Sequence, residues 1–180
     1  MPRSPIPFEQ FNLDIIRAWN SQWFLLTAGE NRPGGYNAMT VAWGSFGVVW
    51  GKPFAQIFVR PSRHTHLFTQ RSDSFTLSAF PALYREALNL MGSRSGRDGD
   101  KIAAAGLTPI ASTQVVAPGF EQAELIIECR KIYHDVLHPA HFLSEDIEGN
   151  YSGANYHTVY YGQILAILGI EKYARPSAGA

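Results

Sequence analysis

One cysteine, Cys129, stands alone in the 180 residues, so no internal disulfide is available. It lies in an apolar stretch and reads as a buried, inert thiol. Charge is scarce: Asp, Glu, Lys and Arg make up 17%, against roughly 25% in soluble domains. It is also balanced, with 15 basic and 15 acidic side chains. That excludes a nucleic-acid binder working by bulk electrostatics, and it argues against an acidic tail or a polybasic membrane patch. No apolar run spans a bilayer, which takes ~20 residues; the longest late stretch covers only 163–170. The opening MPRSPIPFEQFNL has prolines and charge but no apolar signal core. The expectation is a soluble cytoplasmic protein without nucleic-acid or membrane partners. What the chain does have is apolar surface to hide: 46% hydrophobic and 13% aromatic residues. Either another subunit or a flat apolar ligand covers part of it.

Catalytic signatures are missing as well. There is no Walker A loop, no GxGxxG after a strand, no GxSxG elbow, no CxxC and no HExxH. Gly92-Ser-Arg-Ser-Gly96 follows a helix-like segment and has the wrong spacing for a dinucleotide fingerprint. His134, His138 and His141 have helical spacing, but Pro139 interrupts it and no Cys pair or carboxylate cluster completes a metal site. No metal is expected. Either the protein is not an enzyme, or a cofactor supplies the chemistry.

The periodicity is mostly that of strands. Residues 23–28, 36–43, 54–59, 74–80, 123–137 and 157–170 read as β. Within 74–80, Phe75, Leu77 and Ala79 alternate with Ser74, Thr76 and Ser78, the pattern of a half-buried strand. In 123–137, Leu125, Ile127 and Cys129 oppose Glu124, Glu128 and Arg130. Short helices are expected over 9–19, over 62–71 with Ser62 as N-cap, over 84–91, and over 98–105 ended by Gly106. The 62–71 helix would carry His64, Leu67, Phe68 and Arg71 on one face. Strands do not alternate with long helices, so a doubly wound sheet is excluded and a β-barrel with a few outer helices is predicted. The whole chain, 1–180, is assigned to one domain, with an irregular arm over 1–8 and a flexible tail over 174–180.

Three segments point to a ligand. Arg60-Pro-Ser62-Arg63-His-Thr65 follows a strand and opens a helix, where free N–H groups, two guanidiniums and two hydroxyls suit a phosphate. The same residues also read as a plain Ser N-cap with solvated arginines. Ala38, Thr40, Ala42 and Gly44 leave one face of the 36–44 strand without bulk, so a flat ligand fits there, and so does a closely packed helix or subunit. Ser93–Lys101 sets Arg94, Arg97 and Lys101 beside two aspartates, which suits an anion or a solvated loop.

Six runs in order resemble the flavin reductase-like family of FMN-binding split barrels, flavoredoxins included. They are YNAMTVAWGS (36–45), RPSRHTH (60–66), FTLSAF (75–80), SGRDGDK (95–101), ELIIECRKIY (124–133) and YHTVYYGQI (156–164). Gly99 departs from the family, whose members more often carry an aliphatic residue there. The resemblance implies a mainly β fold, a six-stranded antiparallel split barrel with a few flanking helices, and a homodimer with FMN near its interface. By that resemblance Asn37, Ala38, Met39, Thr40 and Trp43 meet the flavin. Arg60, Ser62, Arg63 and Thr65 hold its phosphate, Arg97 and Lys101 add contacts from the same subunit or across the dimer, and His157 lies near the substrate. Arg63 and Thr65 are read as surface groups at a helix start. The implied activity is reduction of bound FMN or free flavin by NADH or NADPH, with electrons passed to an acceptor such as a redox protein or monooxygenase. A non-enzymatic FMN-binding electron carrier and a flavin-free dimeric barrel are the alternatives.

Overall fold

The computed structural model describes residues 2–151 and 153–175. Among the described residues there are ten strands: β1 Ser4–Pro5, β2 Phe24–Gly29, β3 Tyr36–Val41, β4 Gly44–Val49, β5 Lys52–Val59, β6 Ser74–Ala79, β7 Pro109–Ile110, β8 Gly119–Phe120, β9 Leu125–Val136 and β10 Thr158–Gly169. Seven of them form one antiparallel sheet in the order β3-β2-β6-β9-β10-β5-β4, and β1 pairs with β10. The six-strand expectation undercounts because β4, sequence GSFGVV, has mostly half-exposed side chains and no clean alternation. The sheet is rolled. Alternate residues of β2, β3, β5, β6, β9 and β10 enter one core, including Phe24, Leu26, Met39, Ile57, Phe75, Leu77, Ile127 and Tyr160. Full burial of each such side chain contributes about 1.5–3 kcal/mol. The end strands β3 and β4 each have a single partner along this order, so the barrel is split between them. At Gly162 the β9–β10 register shifts, and a Cβ there would stand 2.5 Å from the Phe75 ring; absence of a side chain lets β10 bend over the core.

Four α-helical segments lie outside: α1 Ile15–Arg17, α2 His64–Arg71, α3 Arg85–Ser93 and α4 Lys101–Ala104. A second core, with Leu25, Ala38, Leu88, Met91, Phe120 and Ile126, joins the outer face of β2, β3 and β9 to α3, α4 and β8. Several expectations are corrected here. The predicted 9–19 helix is broken, because Phe11 bridges to Ala174 and the Asn12 N–H donates to the Tyr173 carbonyl (2.9 Å). Only α1 remains, capped by Asp14 and continued by a π turn over Ala18–Gln22. The arm is not wholly irregular, since β1 lies within it and Ile6 is buried. Of the predicted tail, Ala174 and Arg175 are tied to the N-terminal segment, and 176–180 lie outside the described residues. β6 is buried on both faces: Thr76 donates to the Pro118 carbonyl (2.7 Å), so the 107–120 segment covers its polar side. Glu128, expected on the outer face of β9, is fully buried, and its carboxylate accepts from the N–H groups of Thr113 and Gln114. Cys129 is buried, and burial beside Glu128 pushes its thiol well above the ordinary range. The model contains no helix long and apolar enough to cross a membrane among the described residues.

Candidate functional site

The Arg60–Thr65 turn leaves β5 and enters α2. Ser62 is not the N-cap: Arg63 holds that position in an extended conformation, without a side-chain cap bond. α2 turns Thr65, His66 and Thr69 inward, not the face that holds Leu67 and Arg71. Thr65 is therefore buried, and its hydroxyl accepts from the Asn37 amide (2.7 Å) at the start of β3. Arg63 reaches across to the Gly92 carbonyl at the end of α3. These are not free surface groups at a helix start; each ties the turn to a neighbouring element.

Lys101 opens α4, behind an Asp100 N-cap that accepts from the N–H groups of Ile102 and Ala103. It is 3% exposed, and its ammonium donates to the carbonyls of Met91 (2.9 Å) and Arg94 (3.0 Å). A cation at the C-terminus of α3 complements the helix dipole. Burial, and then the nearby Arg63 guanidinium, push Lys101 down to about 8. Arg97 is exposed, and its guanidinium lies 3.4 Å from the Ser62 carbonyl of the same chain.

These residues surround two adjoining cavities. The smaller, about 80 Å³, is lined by Ser62, Arg63, Thr65, Lys101 and the Ser93–Gly96 loop. The larger, about 530 Å³, lies among Arg32, Tyr36, Asp100, Ile102 and Pro109. Asn37, Gly96 and Lys101 line both. Gly96 is required at this junction. A Cβ there would stand 2.3 Å from the Asn37 side-chain oxygen Oδ1 and 3.0 Å from the His64 ring. Gly99, the family departure, has φ +124, a conformation other residues rarely adopt.

The other predicted contacts go elsewhere. Ala38 packs under α3 and Met39 points into the barrel core, so neither side chain faces a cavity. Thr40 donates to the Leu88 carbonyl (2.6 Å). Trp43, 45% exposed, packs against His157 with ring centroids 5.0 Å apart. His157 also shares a hydrogen bond with the Tyr151 hydroxyl (3.0 Å). Burial, with Arg60 nearby, pushes its imidazole down to about 4, so it is neutral at pH 7. Arg60 joins this cluster to the turn, donating to the Asn150 carbonyl (2.9 Å) and lying over the Tyr151 ring.

Sequence reasoning missed three participants. His64 lines the small cavity with a buried Nδ1 that has no hydrogen-bond partner among the described residues. Asn155 brackets Ser62, accepting from its N–H (3.2 Å) and donating to its hydroxyl (2.8 Å). Tyr151 links Arg60 to His157. His64 lies within the Arg60–Thr65 run but carried no ligand role there, Tyr151 lies in no motif, and Asn155 is 93 positions from its partner.

The model for the flavin reductase like domain matches residues 16–176. The chain belongs to the flavin reductase-like family. No curated protein matches it. Among solved structures, the flavoredoxin of Desulfovibrio vulgaris (Miyazaki F) superposes with a TM-score of 0.67 at 22% identity, covering 92% of this chain and 80% of that one. A Shewanella frigidimarina NCIMB 400 protein described by its split barrel domain gives 0.64 at 19%, covering 83% and 68%. An FMN-binding domain of a flavin reductases-like enzyme from Shewanella baltica OS155 gives 0.61 at 14%, covering 89% and 78%. At these identities the likeness establishes the split-barrel fold. The family site residues fit a phosphorylated flavin: a small cationic cavity with an orphaned imidazole nitrogen adjoins a larger, mixed one, across a junction that admits no Cβ. Among the described residues, no three His, Cys, Asp or Glu side chains gather to hold a metal.

Proposed function

We propose that this protein is an FMN-dependent oxidoreductase of the flavin reductase type, using NADH or NADPH. The observation that carries this is the pair of cavities meeting at Asn37, Gly96 and Lys101. Ser62, Arg63 and Thr65, with Arg97 beside them, would hold the phosphate. Asn37 and Lys101 would hold the polar part of the ring. The bound FMN would supply the hydride and electron chemistry between a nicotinamide and an acceptor. The chain's own part is to bind, orient and shield. Lys101 brings a positive charge to a nearly dry site, where it acts more strongly than in water. His64, whose pKa is lowered by burial and by Arg97 and Lys101, offers a neutral nitrogen. Thr40 and the backbones of Ala38 and Met39 set the strand against α3. The Trp43–His157 pair is the substrate-facing part of this reading.

The working unit is a homodimer in the cytoplasm. Exposed Trp43, Val48 and Trp50 on the split side of the barrel support this, as does the low charge content. Free flavin, a redox protein or a monooxygenase is the acceptor. The test is FMN titration by fluorescence quenching, followed by NADH and NADPH oxidation with added FMN. A colourless protein that FMN does not quench overturns the reading. The likeness to a flavoredoxin favours a second one, a non-enzymatic FMN electron carrier. Tight FMN binding without nicotinamide oxidation, and with reduction by a redox protein, would select it.

A further inference from the structure

The Arg60–Thr65 turn is fastened from outside the barrel by the segment that precedes β10. Arg60 donates to the Asn150 carbonyl, and Asn155 grips Ser62 at two points. The direction of those two bonds matters. The Asn155 carbonyl oxygen accepts the Ser62 N–H, which fixes which end of the amide faces the hydroxyl. The amide nitrogen then donates to Ser62 Oγ. A serine hydroxyl has one hydrogen and two lone pairs. With one lone pair taken by Asn155, the hydrogen and the second lone pair remain, and Ser62 lines the small cationic cavity. A phosphate is an acceptor, and a hydroxyl held by its lone pair on Asn155 is free to meet it with its hydrogen.

We infer that Asn155 is a positioning residue that sets the protein's preference for a phosphorylated flavin, by holding the Ser62 hydroxyl as a donor toward the small cavity. This rests on the FMN reading above. It predicts an effect on the phosphate alone, which riboflavin lacks. Ser62 and Asn155 both stand at the surface end of the turn, away from the barrel core, so their removal leaves the fold in place.

The experiment measures dissociation constants for FMN and for riboflavin by fluorescence quenching, with melting temperatures in parallel. The variants are Ser62→Ala, Asn155→Ala, the double variant and Asn155→Asp. FMN affinity is expected to fall about tenfold in each alanine variant, with riboflavin unchanged. The double variant should be no weaker than either single one, because both remove the same hydrogen bond. Asn155→Asp keeps the shape of the side chain but accepts where the amide donated. It draws the Ser62 hydrogen to itself and should lose more FMN affinity than Asn155→Ala. An unchanged FMN-to-riboflavin ratio in Asn155→Ala, with a reduced ratio in Ser62→Ala, overturns the inference and leaves the FMN reading standing. Equal losses of both flavins in the Asn155 variants overturn it too, showing a general structural role. A wild-type protein that binds FMN no better than riboflavin refutes the phosphate assignment itself, and the inference with it.

Discussion

At the residue scale, the site depends on groups that serve structure and ligand at once. Lys101 is the clearest case: its ammonium closes the end of α3 and lines both cavities. With its pKa pushed down to about 8, the free protein loses this cation as pH rises through that value. A bound ligand that carries negative charge or acceptor oxygens favours the charged form, so the sign is fixed: FMN affinity should fall from about pH 7 to about pH 9, by up to about tenfold. Titrations across that range check it, and Lys101→Met should flatten the dependence. Gly96 gives a steric test. Gly96→Ala places a methyl against the Asn37 amide, which is held by Thr65 and cannot retreat freely. A stability loss of about 1–3 kcal/mol and weaker FMN binding are expected, measured by denaturation and by quenching. Motif spacing singled out Asn37, Ser62, Arg63, Thr65 and Lys101, and these line the cavities. The family resemblance also pointed to Ala38 and Met39, and a run of matching residues does not say which face of the strand is covered by a helix or by the core.

At the element scale, the polar side of the central strands is covered rather than wet. Glu128 on β9 sits opposite Thr76 on β6 and receives the Thr113 and Gln114 N–H groups from the 107–120 segment. Glu128→Ala would remove the acceptor that ties the Thr113 and Gln114 N–H groups to β9 and leave a void at a fully buried position. The expected cost is about 3 kcal/mol, or a melting temperature lower by roughly 6–12 °C, read from a thermal denaturation curve. Here the sequence pattern misleads for a physical reason. Ser, Thr and Glu at period two signal water when nothing covers that face, but a loop with free N–H groups serves these side chains equally well. Helix ends were legible in part: Gly106, at φ +65, follows α4 as expected, while the N-caps fall on Arg63 and Asp100 rather than on Ser62 and near residue 98. The 9–19 helix was not, because its residues pair with the C-terminal segment, a partner more than 150 positions away.

At the scale of the whole molecule, the barrel is open along β3 and β4, and large apolar side chains stand exposed, Val48 at 65% and Trp50 at 63%. A monomer leaves them in water. The expected solution mass is that of a dimer, about 40 kDa from a 20.0 kDa chain, by light scattering on a sizing column. A monomeric mass that persists with FMN bound would remove the homodimer from the proposal. The balance of charge says little about this site, since Arg63, Arg97 and Lys101 are gathered locally while the chain as a whole is neutral.

The sequence by itself determined the mainly β class, the absence of conventional catalytic signatures, the cationic turn and the family. The first three follow from periodicity and residue type, which are local; the family follows from the resemblance of six runs in order. The tertiary structure decided which of the marked residues meet. It turned Met39 inward and put Ala38 under α3. It spent the Arg63 and Lys101 charges on the end of α3, and it drew Asn155 onto Ser62 from the far side of the chain. Rolling a sheet brings distant strands together, and no spacing along the chain encodes that contact.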